Sequence, residues 1–319
     1  MKPKSLLIIG GTGFFGKSIL KHLSINNCAY ININKIFILS RGKLKLAIYN
    51  QKLKKKFKVI KINSNILTVK NLPTVDYVIY AAILKNYKND NKAVNKYLDL
   101  AKKYHLKSKI LYISSGAIYG KQSSSIVGFK ENYLKFNNKI SFKRGYKTEY
   151  SNTKMKNEKS FRRFAKIGAK VSIARCFSFV GEFLPRNSQY ILGNFIKNIL
   201  NNQNLNIKAD YQIIRSYMYE EDLVIWLLKI LNSSNKNCPI YNVGSDNAIS
   251  IYKLATLLAK KYNLNVDFYN IKISKKNFDK YVPNIKKAKK KLNLINNYSS
   301  IDAINKTINL LIKNNEKIN

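Results

Sequence analysis

Short apolar runs alternate with longer stretches of helical period through the first 180 or so residues. SLLIIG, KIFILS, FKVIKIN, VDYVIYAA, KILYISS and AKVSIARCF each have the length and apolar density of one buried strand. Between them FFGKSILKHLS, NKAVNKYLDLAKKY and a segment near 147–167 repeat apolar positions every three or four residues, which predicts helices. Strands that are apolar at consecutive positions must be covered on both sides. The alternation therefore predicts an α/β fold, with helices on both faces of a parallel sheet.

After Phe177 the rhythm changes. The pattern predicts a helix at about 189–201, a short strand pair around LNIKA and IIRSYMY, and a helix through EDLVIWLLKIL. One more strand, IYNVG, precedes the helix SIYKLATLLAKKY and a lysine-rich tail. This places residues 1–177 plus about 219–247 in a doubly wound sheet domain, and about 178–218 plus 248–319 in a smaller, discontinuous C-terminal lobe. A chain of 319 residues, 45% hydrophobic, can bury cores of that size, which excludes a disordered protein.

Charge changes the picture less than its size suggests. The formal net charge is +43, from 59 Lys and Arg against 16 Asp and Glu. It is spread along the whole chain, as in KLKKKFK at 52–58 and KAKKK at 287–291, and accompanies an excess of Asn, Ile and Tyr that an AT-rich coding sequence produces. With no basic helix stripe, zinc finger or aromatic RNA-binding signature, no specific nucleic-acid partner is expected, although the surplus attracts acidic ligands at low salt. Cys28, Cys176 and Cys238 form no Cys-x-x-Cys pair, and His22 and His105 are too few for a conventional zinc site. No metal is expected. The isolated cysteines lead to the expectation of a reducing cytoplasm; glycines interrupt the apolar run after Lys4, and no stretch reaches the length of about 18 apolar residues that a membrane span needs, so no membrane span is expected.

The candidate chemistry begins at GGTGFFG, Gly10 to Gly16, between a predicted strand and a predicted helix. In that setting glycines let the backbone approach a pyrophosphate, and the helix N-terminus supplies amide donors and positive dipole. Gly10, Thr12, Gly13, Phe14, Phe15 and Gly16 are the candidate contacts. The second strand ends in Ser40 and Arg41 where an acidic residue would hold a ribose 2'-hydroxyl; a guanidinium suits a 2'-phosphate, which favours NADP over NAD. In YSNTK, Tyr150 and Lys154 are four residues apart, hence on one helical face, and a nearby ammonium lowers a phenol's pKa toward a useful acid and base. Among 22 tyrosines such a pair arises by accident, but KILYISSGAIYG also ends a strand in Ser114 and Ser115, where a hydroxyl can orient a substrate.

Together these motifs resemble the extended short-chain dehydrogenase/reductases of the NAD-dependent epimerase/dehydratase family, which act on nucleotide sugars. The resemblance runs through GGTGFFG, VDYVIYAA, SSGAIYG, YSNTK, ARCFSFVG, IIRSYMYEEDL, YNVGS and YVPNIKKAKKKL, in the family's order. It implies a Rossmann-type sheet and a substrate lobe, with NADP or NAD as cofactor and a nucleotide-diphosphate sugar as substrate. It implies that Tyr150 takes the proton of a sugar hydroxyl, most often O4, that Lys154 holds the nicotinamide ribose and that Ser115 hydrogen-bonds the reacting oxygen. Ala81, Ala82 and Asn63 would contact the cofactor, and Ser178, Asn194, Arg215 and Lys280 the substrate, Arg215 at the diphosphate. Asn63, Tyr80, Ser178, Val180 and Lys280 depart from the residues usual at their positions. Relatives dimerise through two helices, here 89–104 and 147–167, which implies a homodimer.

The family's 4,6-dehydratases resemble one another in an Asp-Glu pair directly after the active-site Ser or Thr; this chain has Gly116 and Ala117 there. Neither can carry a proton. The expectation is therefore hydride transfer at C4, as a 4-ketoreductase or a C4 epimerase, with Arg41 tilting toward the reductase. Two alternatives stand beside it: an atypical 4,6-dehydratase, and a non-catalytic nucleotide-binding regulator of the same fold.

Overall fold

Residues 4–26, 30–44, 46, 49–84, 86–123, 125–133, 146–186, 190–209, 211–269 and 274–314 are described by the computed structural model; Cys28 and the start of the helix expected from 189 lie outside them. Seven parallel strands form the central sheet: β1 (Lys4–Ile9), β2 (Ile33–Leu39), β3 (Lys58–Ile62), β4 (Tyr77–Tyr80), β5 (Lys109–Ser115), β6 (Lys170–Cys176) and β11 (Ile240–Val243). Their spatial order is β11-β6-β5-β4-β1-β2-β3. The chain moves outward from β1 through β2 to β3, then restarts at β4 on the other side of β1. The reversal leaves a crevice at the carboxyl ends of β1 and β4, the position where such sheets take ligands.

Apolar runs form these strands because both faces are covered. One face packs under α1 (Phe14–Ile25), α2 (Tyr49–Lys56) and α6 (Glu220–Asn232), with Trp226 fully buried and its indole N–H donating to the Ile295 carbonyl at 2.9 Å. The other packs under α3 (Tyr87–Tyr104) and α4 (Tyr146–Lys166), around Tyr97, Tyr112 and Phe161. Each such side chain removed from water contributes about 1.5–3 kcal/mol.

The remaining strands are short: β7 (Phe179–Val180), β8 (Leu205–Ile207), β9 (Tyr211–Ser216), β10 (Met218–Tyr219), β12 (Ala248–Ser250), β13 (Val266–Phe268) and β14 (Ser274–Tyr281). The strands in LNIKA and IIRSYMY do not pair with each other, contrary to the expectation of a strand pair. β8 pairs with β13, and β9 lies between β12 and β14. Leu205 and Ile207 are both buried in an apolar cluster with α5 (Ile191–Leu200) and α7 (Ile251–Tyr262), so β8 takes the strand that returns directly after α7. The lysine-rich tail also contains two helices, α8 (Lys286–Leu292) and α9 (Ser300–Lys313); Ile304, Ile308 and Leu311 of α9 form a buried stripe at helical spacing. No helix among the described residues is long and apolar enough to cross a membrane.

Candidate active site

The glycine turn joins β1 to α1 at the crevice. Gly10 has φ +92°, and a Cβ there would stand 2.7 Å from the Ala82 nitrogen; a Cβ on Gly16 would stand 2.4 Å from Gly11 Cα. These two glycines serve close backbone approach within the chain. Gly13 differs: a Cβ on it would meet nothing nearer than the Gly10 carbonyl oxygen at 3.6 Å, so the absent side chain leaves open space over the N-terminus of α1. Phe14 and Phe15 pack against Phe179 at centroid distances of 6.3 and 5.6 Å, which leaves their backbone, not their rings, to serve the turn. Beneath it, the Lys21 ammonium lies between Glu182 (2.7 Å) and Glu220, both buried, and ties α1 to α6 and the loop after β7.

The ends of neighbouring strands line up beside this turn. Ser40 follows β2, its hydroxyl buried and without a hydrogen-bond partner among the described residues. Arg41 next to it is exposed, and a Cβ on Gly42 would stand 3.7 Å from Thr12 Oγ1, which brings this segment near the glycine turn. Asn63, exposed after β3, accepts from Lys61 Nζ at 3.5 Å. Ala81 and Ala82 follow β4 half-buried, with the Ala81 N–H donating to the Ile9 carbonyl at 2.9 Å. Tyr80 turns instead into the core against Tyr97 and Phe161. The open face of Gly13 and the orphaned Ser40 hydroxyl suit a dinucleotide, whose phosphates and ribose would meet them.

On the other side of the crevice, Lys154 is buried and donates to the Ile113 carbonyl at 3.3 Å. Its ammonium lies 5.1 Å from the Tyr112 ring centroid and 6.0 Å from that of Tyr150. Burial opposes this charge, but the Tyr112 phenol and the Asp90 carboxylate outweigh it, and the pKa is displaced upward. Lys154 is an ammonium at neutral pH, beside the Tyr150 ring. Ser115 caps the short turn Gly116–Tyr119, its Oγ accepting from the Ala117 N–H at 3.1 Å, and Ser151, next to Tyr150, donates to the Ala117 carbonyl at 2.9 Å. Tyr281 reaches in from β14, its hydroxyl 3.4 Å from Ser115 Oγ. Burial holds the Tyr281 phenol well above its ordinary pKa and Tyr150 adds to the effect, so it stays neutral.

A buried network supports this arrangement. Arg175 at the end of β6 donates from Nε (3.0 Å) and Nη2 (2.8 Å) to the Glu158 carboxylate, and from Nη1 to Tyr119 Oη at 2.9 Å. Ser114 donates to Glu158 at 2.6 Å, and Tyr119 to Asn242 at 2.7 Å. These bonds fix β5, β6, β11 and α4 to one another directly below Ser115. The motif reading missed Glu158, although its spacing of four from Lys154 places it on the same face as Tyr150. Cys176 is buried at its strand end and burial pushes its thiol up, away from any thiolate role.

The substrate-binding candidates are less gathered. Ser178 is half-buried, its carbonyl accepting from the Met218 N–H at 3.1 Å, and Asn194 is exposed in the first turn of α5. Arg215 on β9 is bonded to Asp279 of β14. Lys280 turns to the opposite face of β14, where Nζ donates to the Ile126 carbonyl at 3.0 Å. Arg215 and Lys280 therefore do not form one cationic clamp.

Comparison with known proteins agrees with this architecture. The model of the NAD dependent epimerase/dehydratase family matches residues 6–244. UDP-glucuronic acid decarboxylase 1 of Xenopus tropicalis is 27% identical over 146 residues, covering 46% of this chain and 34% of that protein, so the match spans about a third of the relative's length. Among solved structures, UDP-glucose 4-epimerase of Thermotoga maritima superposes with a TM-score of 0.77 at 19% identity, covering 98% of this chain and 100% of its own. The dTDP-glucose 4,6-dehydratase of Streptomyces venezuelae, with NAD bound, gives 0.78 at 16% identity and 97% of both chains. With the family model matching residues 6–244, the chain belongs to the NAD-dependent epimerase/dehydratase family.

Proposed function

We propose that this protein catalyses hydride transfer at C4 of a nucleotide-diphosphate hexose, as a 4-ketoreductase or a C4 epimerase. The observation that carries this reading is the packing at Gly116. A Cβ there would stand 2.6 Å from the Phe177 ring, so the place where the dehydratases carry an acid is filled by an aromatic side chain. Ala117, the next residue, has no proton to give. Elimination of water across C5 and C6 thus has no auxiliary acid or base at these positions, whereas redox at C4 needs only one proton-transfer group.

The chain's own residues divide the work. Tyr150 holds and moves the proton at the sugar O4; Lys154 keeps a positive charge beside that phenol and favours its phenolate. Ser115 hydrogen-bonds the same oxygen and fixes its orientation. Gly13, Ser40, Arg41 and Asn63 would hold the dinucleotide, together with Ala81, Ala82 and Lys154. Its nicotinamide supplies or accepts the hydride. Arg41, exposed beside the unpartnered Ser40 hydroxyl, suits a 2'-phosphate and favours NADPH, hence the reductase direction. The same reading makes the protein a homodimer through helices 89–104 and 147–167.

The experiment is to denature a portion of the purified protein, identify any released nucleotide by mass spectrometry, and titrate the native apoprotein with NADPH and NADH. An empty site that prefers NADPH is the expected result for a 4-ketoreductase; retained NAD supports the epimerase. If neither dinucleotide binds, the redox reading falls.

A further inference from the structure

The guanidinium of Arg215, which the family resemblance implies would meet the substrate diphosphate, is already engaged by a carboxylate. Nη2 donates to Asp279 Oδ2 at 2.8 Å, and Nη1 donates to the carbonyls of Asp279 at 2.7 Å and Ile214 at 2.9 Å. The partners come from adjacent parallel strands. Tyr281 stands opposite Arg215 and Asp279 opposite Ile213, so Arg215 reaches diagonally to a residue on the same face. Tyr281, on that face too, touches Ser115. One face of the small sheet therefore runs from the Arg215–Asp279 pair to the catalytic serine.

The pair is open enough for a ligand to reach, with the two side chains 19% and 33% exposed. It is also not part of the general surface charge. The chain has 16 acids against 59 bases, and one of those few carboxylates lies on this arginine.

Resting on the nucleotide-sugar reading, we infer that Asp279 sets the affinity of the diphosphate subsite. It is an internal anion that holds Arg215 when no nucleotide sugar is bound and that the ligand's diphosphate must displace. A carboxylate and a diphosphate drawn to one half-buried guanidinium repel each other at short range, so Asp279 lowers the affinity that Arg215 alone would give. It also keeps the arginine in place while the subsite is empty. The consequence is a pre-formed but weakened subsite that releases its nucleotide readily after each turnover.

The test is calorimetric titration of the full chain and its Asp279→Asn and Arg215→Ala variants with UDP, dTDP, CDP and GDP. Asparagine keeps an oxygen that can accept from Arg215 and removes only the charge. For the diphosphate that binds best, Asp279→Asn is expected to bind about tenfold tighter and Arg215→Ala about tenfold weaker. A merely structural Asp279 would give weaker binding on substitution. Unchanged or weaker binding by Asp279→Asn, with a loss in Arg215→Ala, overturns this inference and leaves the nucleotide-sugar reading standing. If no diphosphate binds to any of the three proteins, both fall.

Discussion

A Cβ atom on Gly116 would lie 2.6 Å from the ring of Phe177, which is itself packed on Tyr281 with centroids 4.7 Å apart. The ring cannot retreat without pushing Tyr281 off Ser115. Gly116→Ala is therefore expected to cost about 1–3 kcal/mol in urea denaturation, the usual cost of overpacking. The cost should shrink when Phe177→Leu opens the space; equal cost in both backgrounds would contradict the packing argument.

Breaking the Glu158–Arg175 pair leaves a buried charge unpaired, since both side chains are almost fully buried. Glu158→Ala is expected to lose about 3–5 kcal/mol of stability. Chemical denaturation measures it, and a loss near that of an exposed pair would show that water reaches Arg175.

Tyr150→Phe removes the proton-transfer group and keeps the ring beside Lys154. The turnover number is expected to fall about 10²- to 10⁴-fold while dinucleotide affinity stays within about twofold. A parallel loss of dinucleotide binding would assign Tyr150 to binding instead.

Arg41→Ala tests the cofactor assignment. NADPH affinity is expected to fall about tenfold with NADH affinity nearly unchanged. Equal effects on both would remove the arginine from the 2'-phosphate.

Stability should depend on pH through His105. Its Nε2 donates to the Pro73 carbonyl at 2.9 Å, while Nδ1 is buried without a partner among the described residues. Burial pushes its pKa below the ordinary value, against the Pro73 bond. The unfolded chain then binds the proton more readily, so the contribution is complete above the unfolded pKa of about 6.5 and is lost as pH falls toward the folded value. Denaturation at about pH 7.5 and about pH 5 should show wild type losing more stability than His105→Gln. His22, also depressed by burial, leaves a smaller slope in the variant.

The parallel sheet was legible because strands buried on both faces are apolar at successive positions, as in KILYISS. The glycine turn and the Tyr150–Lys154 pair were legible by spacing. Much of the substrate side was not. β14 contains SKKNFDKY, with no apolar alternation, and becomes a strand only because β9 offers it an edge. Asp279 and Tyr281 enter the site by that pairing, which no local pattern announces. Helix α2, YNQKLKKK, reads as a run of charge because only Tyr49 and Leu53 face the core.

Isotope transfer separates hydride transfer at C4 from dehydration. The purified protein would be incubated with C4-deuterated NADPH and a set of 4-keto nucleotide hexoses, and in parallel with C4-deuterated UDP-hexoses, and the products read by NMR. Hydride transfer at C4 puts deuterium at C4 of the product sugar, carried over from the cofactor in a reductase or retained in an epimerase, and Tyr150→Phe is expected to form no such product. A 4-keto-6-deoxy product with deuterium moved from C4 to C6 would contradict it, because that is the mark of dehydration.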